Sequence, residues 1–525
     1  MSYRVVIPTA GLGSRLGKLT KYINKSLVSI AHRPTISHLI EQFTSDCEFV
    51  IALGHKGQLV KDFLELAYPH RTFHFAHVEP FEGPGSGLGY SLLCCAEYLS
   101  EPFVFLSCDT LVRGSIPAPT HDWMGFAEVN ELSSYRTLAV YGEKVQGVHE
   151  KGEVGSNLKA YIGLAGVFDH QRFWEAMKTG GELAVTQGEA HGMRNILKFR
   201  SIHAYNFQWF DTGNPKTLAH TREAYREEDE PNILEKENEA IWFVDKRVIK
   251  FSDDFRFIAN RAQRVKGLTG YIPKLLETRE NMYCYGRVQG RILSEVVSVP
   301  LFEQLLNHCK EFWKATVLTP EDQKSFKNNC HRFYHDKTRE RVELFYSNFQ
   351  KTDGREKIND EEMPTLRALL DQVDWNDLAD GWPGRFHGDF HFENILWSAE
   401  TQQFTFLDWR QDFGGDLNVG DVYYDLAKLL HGLIVCHGLI AKNQYQVSWW
   451  EDRIEYDLHR KQILVECEEY FKQWCQKNGF SWQKVRVLTA LIYLNIAALH
   501  HHPYSELLYA LGKRMLKRDL ESKWN

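Results

Sequence analysis

Over the first 220 or so residues, short apolar runs alternate with amphipathic stretches. Val5-Val6-Ile7, Cys47 to Leu53 and Phe103 to Ser107 are continuous apolar runs that predict buried strands, and Ile36 to Phe43 places its apolar residues at helical spacing. Such alternation predicts an α/β, Rossmann-like domain: a largely parallel sheet with helices on both faces and ligands at the carboxyl ends of its strands. The pattern stops at residues 226–239, which are dense in charge, contain Pro231 and have no apolar period, as a linker would. Ala240 to Val244 and Arg247 to Phe251 then read as strands. Beyond about Leu301 the spacing is mainly helical to the C-terminus, interrupted once near residues 386–409. The expected organisation is a first domain at 1–225, a linker at 226–239 and an α+β second domain at 240–525.

Composition narrows the function classes. The 525 residues carry a net charge of −7, which lacks the basic footprint of a nucleic-acid or membrane-surface protein and leaves small molecules as the expected partners. The N-terminus has no basic segment, apolar run and cleavage site in signal-peptide order. The apolar stretch Val487 to Leu499 is broken by Asn495 and falls short of the roughly 20 residues of a membrane span. Ten cysteines show neither CxxC pairs nor zinc spacing, which fits reduced thiols in a cytoplasmic enzyme.

Two motifs carry chemistry. In the first, Gly11-Leu12-Gly13-Ser14-Arg15-Leu16 follows the strand at Val5 and allows backbone N–H groups to approach a phosphate. It is neither a Walker loop nor a complete GxGxxG. Arg15 and Lys25 add cations. Asp109 and Asp211 each follow an apolar run and so sit at strand ends, where two carboxylates suit Mg²⁺. The second motif is His387-x-Asp389 followed by four residues and Asn394, with Asp408 downstream. That is the spacing of a kinase catalytic loop: Asp389 to orient or deprotonate an attacking hydroxyl, Asn394 and Asp408 as Mg²⁺ ligands on ATP. Lys250, ending the strand from Arg247, is placed to grip ATP phosphates.

The first motif set, with Cys108-Asp109, Glu150-Lys151 and Phe210-Asp211-Thr212-Gly213, resembles the sugar-phosphate nucleotidyltransferase family over residues 3–220. The resemblance implies that Gly11, Gly13, Ser14 and Arg15 hold an NTP triphosphate. Lys25 would neutralise charge at the α-phosphate, and Asp109 and Asp211 would bind Mg²⁺. Lys151 would meet the acceptor phosphate, Gly163 would line its pocket, and Gly83 to Gly87, with Gly85 and Ser86, would read the base. Asn24 and Gly152 stand where the family has prolines. The second set, with Leu407-Asp408-Trp409 and Asp421-Val422-Tyr423-Tyr424-Asp425-Leu426-Ala427, resembles the aminoglycoside phosphotransferase and choline kinase family over 240–515. It implies a bilobal, protein-kinase-like fold. Glu277 and Glu280 come late for the glutamate that partners the kinase lysine.

Other residues read as structural. His391 fits a supporting place beside Asp389. His500-His501-His502 point different ways on a helix and suit packing over a shared ion. Trp449-Trp450, with Tyr445 and Tyr456, read as a helical apolar face, with an ammonium cage as the other reading.

Together these predict a bifunctional enzyme. It phosphorylates a small hydroxylated metabolite with ATP, then couples that phosphate to a second NTP (CTP, GTP or UTP), with Mg²⁺ at both sites. A sugar giving a nucleotide-sugar for surface glycans such as capsule is preferred. An amino alcohol such as choline or ethanolamine giving a CDP-alcohol stands as the alternative, and a non-catalytic role for one domain as a further one.

Overall fold

The computed structural model describes residues 3–226 and 236–521. Most of the expected linker at 226–239 therefore lies outside the described residues. By compactness the chain forms two units: residues 1–255 with 276–285, and residues 256–275 with 286–525.

The first unit is built on β1 (Arg4–Pro8), β2 (Glu48–Leu53), β3 (Phe73–His77), β4 (Phe103–Leu106), β6 (Trp123–Ala127), β7 (Thr137–Tyr141), β8 (Lys144–His149), β9 (Leu158–Val167) and β10 (Ile202–Asn206), in the order β3-β2-β1-β4-β9-β6-β10-β8-β7. β3, β2, β1 and β4 are parallel, as is the β6–β10 pair. The expectation of a largely parallel sheet is corrected here. β9 runs antiparallel to both β4 and β6, and β8 runs antiparallel to β10 and β7. The first four strands are joined through helical crossovers that return the chain to the same end, whereas β7 and β8 turn directly back on each other.

The central strands are apolar on both faces. Val5, Ile7, Phe49 and Ile51 join one core with α1 (Thr35–Ile40) and α2 (Gly57–Ala67). Val6, Val50, Phe103 and Phe105 join another with α3 (Leu88–Cys95), α4 (His170–Thr179) and α5 (Glu189–Leu197). A short pair, β5 (Thr110–Arg113) and β11 (Gln208–Asp211), lies beside this sheet with Asp211 opposite Thr110.

The strands β12 (Glu239–Val244), β13 (Arg247–Ser252), β14 (Leu275–Thr278) and β15 (Met282–Gly286) form a four-stranded sheet that groups largely with this first unit. Buried Trp242 stacks edge-on against Phe63 of α2, 5.2 Å between ring centres, and its Nε1 donates to Ser29 Oγ at 3.0 Å. Arg247 donates to Leu66 O at 3.0 Å. Burying a large side chain of this kind contributes about 1.5–3 kcal/mol, enough to draw the sheet onto α2.

The second unit holds α6 (Phe255–Leu268), α7 (Val299–Phe312), α8 (Pro320–His331), a π turn (Arg332–Asp336) and α9 (Lys337–Phe349). It ends in α10 (Val422–Ile434), α11 (Gln462–Lys477), α12 (Trp482–Ala497) and α13 (Tyr504–Glu521). All thirteen residues of α10 are buried, so it is the axis of this unit. The apolar stretch at Val487 lies in α12, and no helix of the described residues is long and apolar enough to cross a membrane. The helical reading of Trp449-Trp450 is corrected. Tyr445–Trp450 and Arg453–Leu458 are antiparallel strands of one hairpin, and Tyr445, Val447 and Trp449 alternate inward against exposed Gln446, Ser448 and Trp450.

Candidate active sites

The first site gathers at strand ends. β4 stops at Leu106, and Ser107 donates its N–H to Gly163 O at 2.8 Å, pinning the Asp109 loop to β9. Gly163 has φ 72°, and a Cβ there would stand 2.9 Å from Ser107 Cβ, so this close approach needs glycine. Ser107 Oγ donates to Asp109 Oδ1 at 2.6 Å, and Lys25 Nζ reaches Asp109 Oδ2 at 3.2 Å. Gly13 is left-handed, φ 69°, and a Cβ there would meet Lys25 Cβ at 2.8 Å, so the glycine loop lies directly on Lys25.

Asn24 explains one departure from the family pattern. Its fully buried amide donates to Thr9 O (2.9 Å) and His55 O (2.7 Å) and accepts from Ser26 N (2.9 Å) and Ser26 Oγ (2.8 Å). Every donor and acceptor of the side chain is used. It thereby joins the ends of β1 and β2 to the turn that carries Lys25.

Asp211 accepts from Gly213 N at 2.8 Å and from Tyr135 OH at 3.3 Å. Thr212 N–H donates to Asp109 O at 3.0 Å, bringing the two aspartates together. A methyl placed on Gly213 would lie 3.0 Å from Asp211 Oδ1, 3.3 Å from Arg15 Nη2 and 3.4 Å from Asp109 Oδ2. Arg15, Asp109 and Asp211 therefore converge on one small volume. Burial opposes ionisation of Asp109, but Lys25, Ser107 and Arg15 outweigh it and hold its pKa down at about 2. Burial likewise works against the Lys25 ammonium, yet the Asp109 carboxylate carries its pKa above the ordinary lysine range. Burial and the Asp109 charge push Asp211 up. Two adjoining carboxylates in mutual tension fit a hard divalent cation.

Other expected residues lie apart. Lys151 is exposed on the turn after β8, next to Glu150, which is held by Arg136 Nε (2.9 Å) and Arg194 Nη2 (2.7 Å). Gly85 and Ser86 lie on an exposed turn closed by Ser86 Oγ to Gly83 O at 2.6 Å. No hydrogen bond or ion pair among the described residues joins Lys151, Gly85 or Ser86 to the Asp109 group. Gly11 and Ser14 are exposed on the glycine loop.

The second site centres on Asp389. Asn394 Nδ2 donates to Asp389 O (2.9 Å) and Oδ2 (3.2 Å), and Lys428 Nζ reaches Asp389 Oδ1 at 2.8 Å. His391 Nε2 lies 3.6 Å from Asp389 Oδ2, while its Nδ1 lies 3.1 Å from Glu393 Oε2, which also meets His437 Nδ1 at 2.9 Å. Burial opposes the charge on Asp389, but Lys428 and His391 hold its pKa well below the carboxylate range. Burial would discharge His391, but Asp389 and Glu393 raise its pKa to about 9. Leu407 N–H donates to Asn394 O at 2.7 Å, which sets Asp408 beside Asn394. Asp408 Oδ1 also meets Arg261 Nη1 at 2.5 Å.

Buried charges scaffold this loop. Asp425 of α10 accepts from His387 N (2.6 Å), Gly388 N (2.7 Å) and Trp313 Nε1 (3.1 Å), and burial raises its pKa to about 6. Arg264 of α6 donates to the carbonyls of Phe386, His387, Arg410 and Leu417. Burial lowers His387 to about 3, leaving a neutral ring whose Nδ1 accepts from Asp389 N at 3.2 Å.

Lys428, Arg261 and Arg264 were not legible as site residues. Lys428 lies one turn past Asp425, just beyond the segment Asp421 to Ala427, so helical spacing from Asp421 was the available signal. α6 carries no carboxylate at all. Glu277 is on β14 and pairs with Arg279 at 2.6 Å, and Glu280 is exposed beyond it, so neither lies on a helix. Lys250 lies on β13, in the first unit.

The remaining aromatic and histidine runs pack. Trp449 stacks on Tyr509, 5.0 Å between centres, with Lys351 Nζ 4.0 Å from its ring centre. His500 and His501 lie against Tyr504, and His502 is 3.7 Å from Glu506.

Residues 252–442 match the model of the phosphotransferase enzyme family. The N-terminal part matches sugar nucleotidyltransferases. It is 25% identical over 253 residues to UTP–glucose-1-phosphate uridylyltransferase 1 of Staphylococcus saprophyticus, covering 39% of this chain and 85% of that protein. Among solved structures, UDP-glucose pyrophosphorylase complexed with UDP-glucose matches at 21% identity and a TM-score of 0.37, covering 43% of this chain and 98% of that one. CTP:phosphocholine cytidylyltransferase from Streptococcus pneumoniae matches at 18% identity and a TM-score of 0.36, covering 43% and 100%.

Proposed function

We propose that this chain is a bifunctional cytoplasmic transferase, in which a kinase-like domain makes a phosphate ester and a nucleotidyltransferase domain activates it. The observation that carries the reading is that each half gathers a charged constellation. One is Arg15, Lys25, Asp109 and Asp211; the other is Asp389, Asn394, Asp408 and Lys428.

In the kinase step, Asp389 is ionised and oriented by Asn394 and Lys428, so it accepts a hydrogen bond from the acceptor hydroxyl and aims its oxygen. Asn394 and Asp408 are the oxygen ligands available to Mg²⁺, which when bound neutralises charge on ATP phosphates. Lys250 is assigned to those phosphates, as the lysine of a bilobal kinase fold. In the nucleotidyl step, the glycine loop (Gly11, Gly13, Ser14) and Arg15 hold the triphosphate and Lys25 neutralises charge at the α-phosphate. Asp109 and Asp211 offer the second Mg²⁺ site. The acceptor phosphate then displaces pyrophosphate by in-line attack, a reaction that needs positioning and charge neutralisation more than proton transfer. Lys151 and Gly163 are assigned to the acceptor, and Gly85 and Ser86 to the base.

A sugar is the preferred metabolite, with a nucleotide-sugar for surface glycans such as capsule as product. The uridylyltransferase relatives support UTP as the first nucleotide to try. The test is a matrix of four NTPs against sugar 1-phosphates, phosphocholine and phosphoethanolamine, scored by pyrophosphate release. Turnover is expected with a sugar phosphate. Turnover confined to phosphocholine or phosphoethanolamine overturns the sugar assignment.

A further inference from the structure

The helix α10 turns Lys428 towards the catalytic loop, and Tyr424, one turn before it, packs edge-on against Phe333 at 4.9 Å between ring centres. Lys337, the first residue of α9, lies with Nζ 4.0 Å from the centre of the Phe333 ring and 5.7 Å from that of Tyr424. Arg410 lies on the same Phe333 ring, its guanidinium carbon 5.0 Å from the centre. Arg410 also lies against the catalytic loop. Its N–H donates to His387 O at 2.9 Å, and a Cβ on Gly388 would stand 2.5 Å from Arg410 Cβ. Arg341 is one helical turn beyond Lys337. Lys337, Arg410 and Lys428 thus gather near the residue that would receive the acceptor hydroxyl, with Arg341 beside Lys337.

Their counter-charges do not match in number. Lys428 is paired with Asp389. Among the described residues no ion pair reaches Lys337, Arg341 or Arg410, and the buried Nε of Arg410 has no hydrogen-bond partner. The acids nearby are engaged elsewhere: Asp336 with His335, Asp412 with Gly415 N, Glu393 with His391 and His437. Burial, then Arg410, Lys428 and Arg341, drive the Lys337 pKa well below the ordinary lysine range, and the opposing Asp389 charge does not offset them. Unpaired cations held together in a half-buried cluster are unfavourable unless a ligand supplies the missing charge.

We propose that Lys337, Arg410 and Lys428, with Arg341 at the edge, form an anion subsite, and that the kinase acceptor is a hydroxyl compound bearing a carboxylate or a phosphate. This rests on the kinase reading of Asp389 and sharpens its substrate class. An ammonium acceptor of the choline or ethanolamine kind would enter against Arg410 and Arg341, with the Asp389 charge already engaged by Lys428.

The test is calorimetric titration of the full-length protein with inorganic phosphate. Lys337→Met with Arg410→Gln is the main variant, since both keep the stems that pack on Phe333. Arg341→Gln is a second variant at the half-exposed edge. Phosphate affinity is expected to fall at least tenfold in the double variant and less in Arg341→Gln. Unchanged phosphate binding in both overturns the proposal. So does an equal fall in affinity for a non-hydrolysable ATP analogue with Mg²⁺, which would place these cations on nucleotide. A second arm measures Asp389-dependent ADP release with glucose, glucuronate and glucose 6-phosphate, with glycerol and glycerate, and with ethanolamine. Carboxylate or phosphate compounds are expected to exceed their neutral partners at least tenfold in kcat/KM, and the two kinds of anion are told apart by which one does. A neutral or ammonium winner sinks the proposal. Absence of any ATP-analogue binding to the unsubstituted protein would instead sink the kinase reading beneath it.

Discussion

The two sites hold their charges in different ways. At the first, Asp109 and Asp211 sit where strands end, backbone hydrogen bonds from Ser107, Thr212 and Gly213 fix their loops, and Lys25 opens a short turn tied to two strand ends by Asn24. At the second, the Asp389 loop hangs on buried side-chain charges carried by two helices, Arg264 on α6 and Asp425 and Lys428 on α10. A sheet terminus is rigid whatever the state of its side chains. A loop suspended from buried charges depends on each charge being present. The second site should therefore be the more fragile of the two, to substitution and to pH.

The largest test of their independence is a pair of substitutions. Asp389→Asn is expected to cut ATP-dependent phosphorylation by about 10²–10⁴-fold. Lys25→Ala is expected to cut pyrophosphate formation by about 10²–10³-fold, by analogy with losing one charge-stabilising donor. Each should leave the other reaction standing, read with separate ADP-release and pyrophosphate-release assays. Loss of both from one substitution in a folded protein would break the contrast.

Next comes the suspension itself. Arg264→Met removes the donor to four carbonyls and is expected to destabilise the second unit by about 3–5 kcal/mol. Calorimetry should show the fall in the transition that Asp389-dependent activity follows. An effect under about 1 kcal/mol would mean that packing, not charge, carries the loop.

The pH responses should diverge as well. His391 has a folded pKa near 9, above its ordinary 6.5, so its contribution is full below about pH 6.5 and is lost as pH rises through 9. Asp109, near 2 and below its ordinary 3.8, contributes above about pH 4 and loses that contribution only in strong acid. Between pH 6.5 and 9 the second unit alone should soften, by on the order of 1–3 kcal/mol, and His391→Gln should flatten that slope in melting curves. The smallest effect belongs to Gly163→Ala. A Cβ at φ 72° and 2.9 Å from Ser107 is expected to cost about 1–2 kcal/mol, seen as a lower melting point and weaker nucleotidyl transfer with phosphorylation intact.

What the sequence disclosed follows the same divide. Asp109, Asp211, Asp389, Asn394 and Asp408 were legible because their chemistry is written in short local motifs. The antiparallel course of β9 was not, since the pairing of β4 with β9 joins residues some sixty apart, and an apolar run reads alike in either direction. The hairpin at 445–458 was missed because bulky aromatics swamp a period-two alternation in a helical neighbourhood. Lys428, Arg261 and Arg264 gain their meaning only across the fold, from partners 39, 147 and up to 153 positions away in sequence. One long-range gap opens the comparison further: Asn24 replaces a family proline, yet four hydrogen bonds do by bonding what a ring would do by stiffness.

The strands at 239–252 and 276–285 close against α2 through Trp242 and Arg247, while residues 256–275 belong to the other unit. The backbone therefore passes from one unit to the other three times. No single scission can release the two as independent fragments. Cutting before residue 239 strips Phe63 and Leu66 of their cover, and cutting after 285 carries α6, with Arg261 and Arg264, away from the loop they hold. Whoever wishes to borrow one activity for a fusion or a split reporter must rearrange the chain order rather than shorten it.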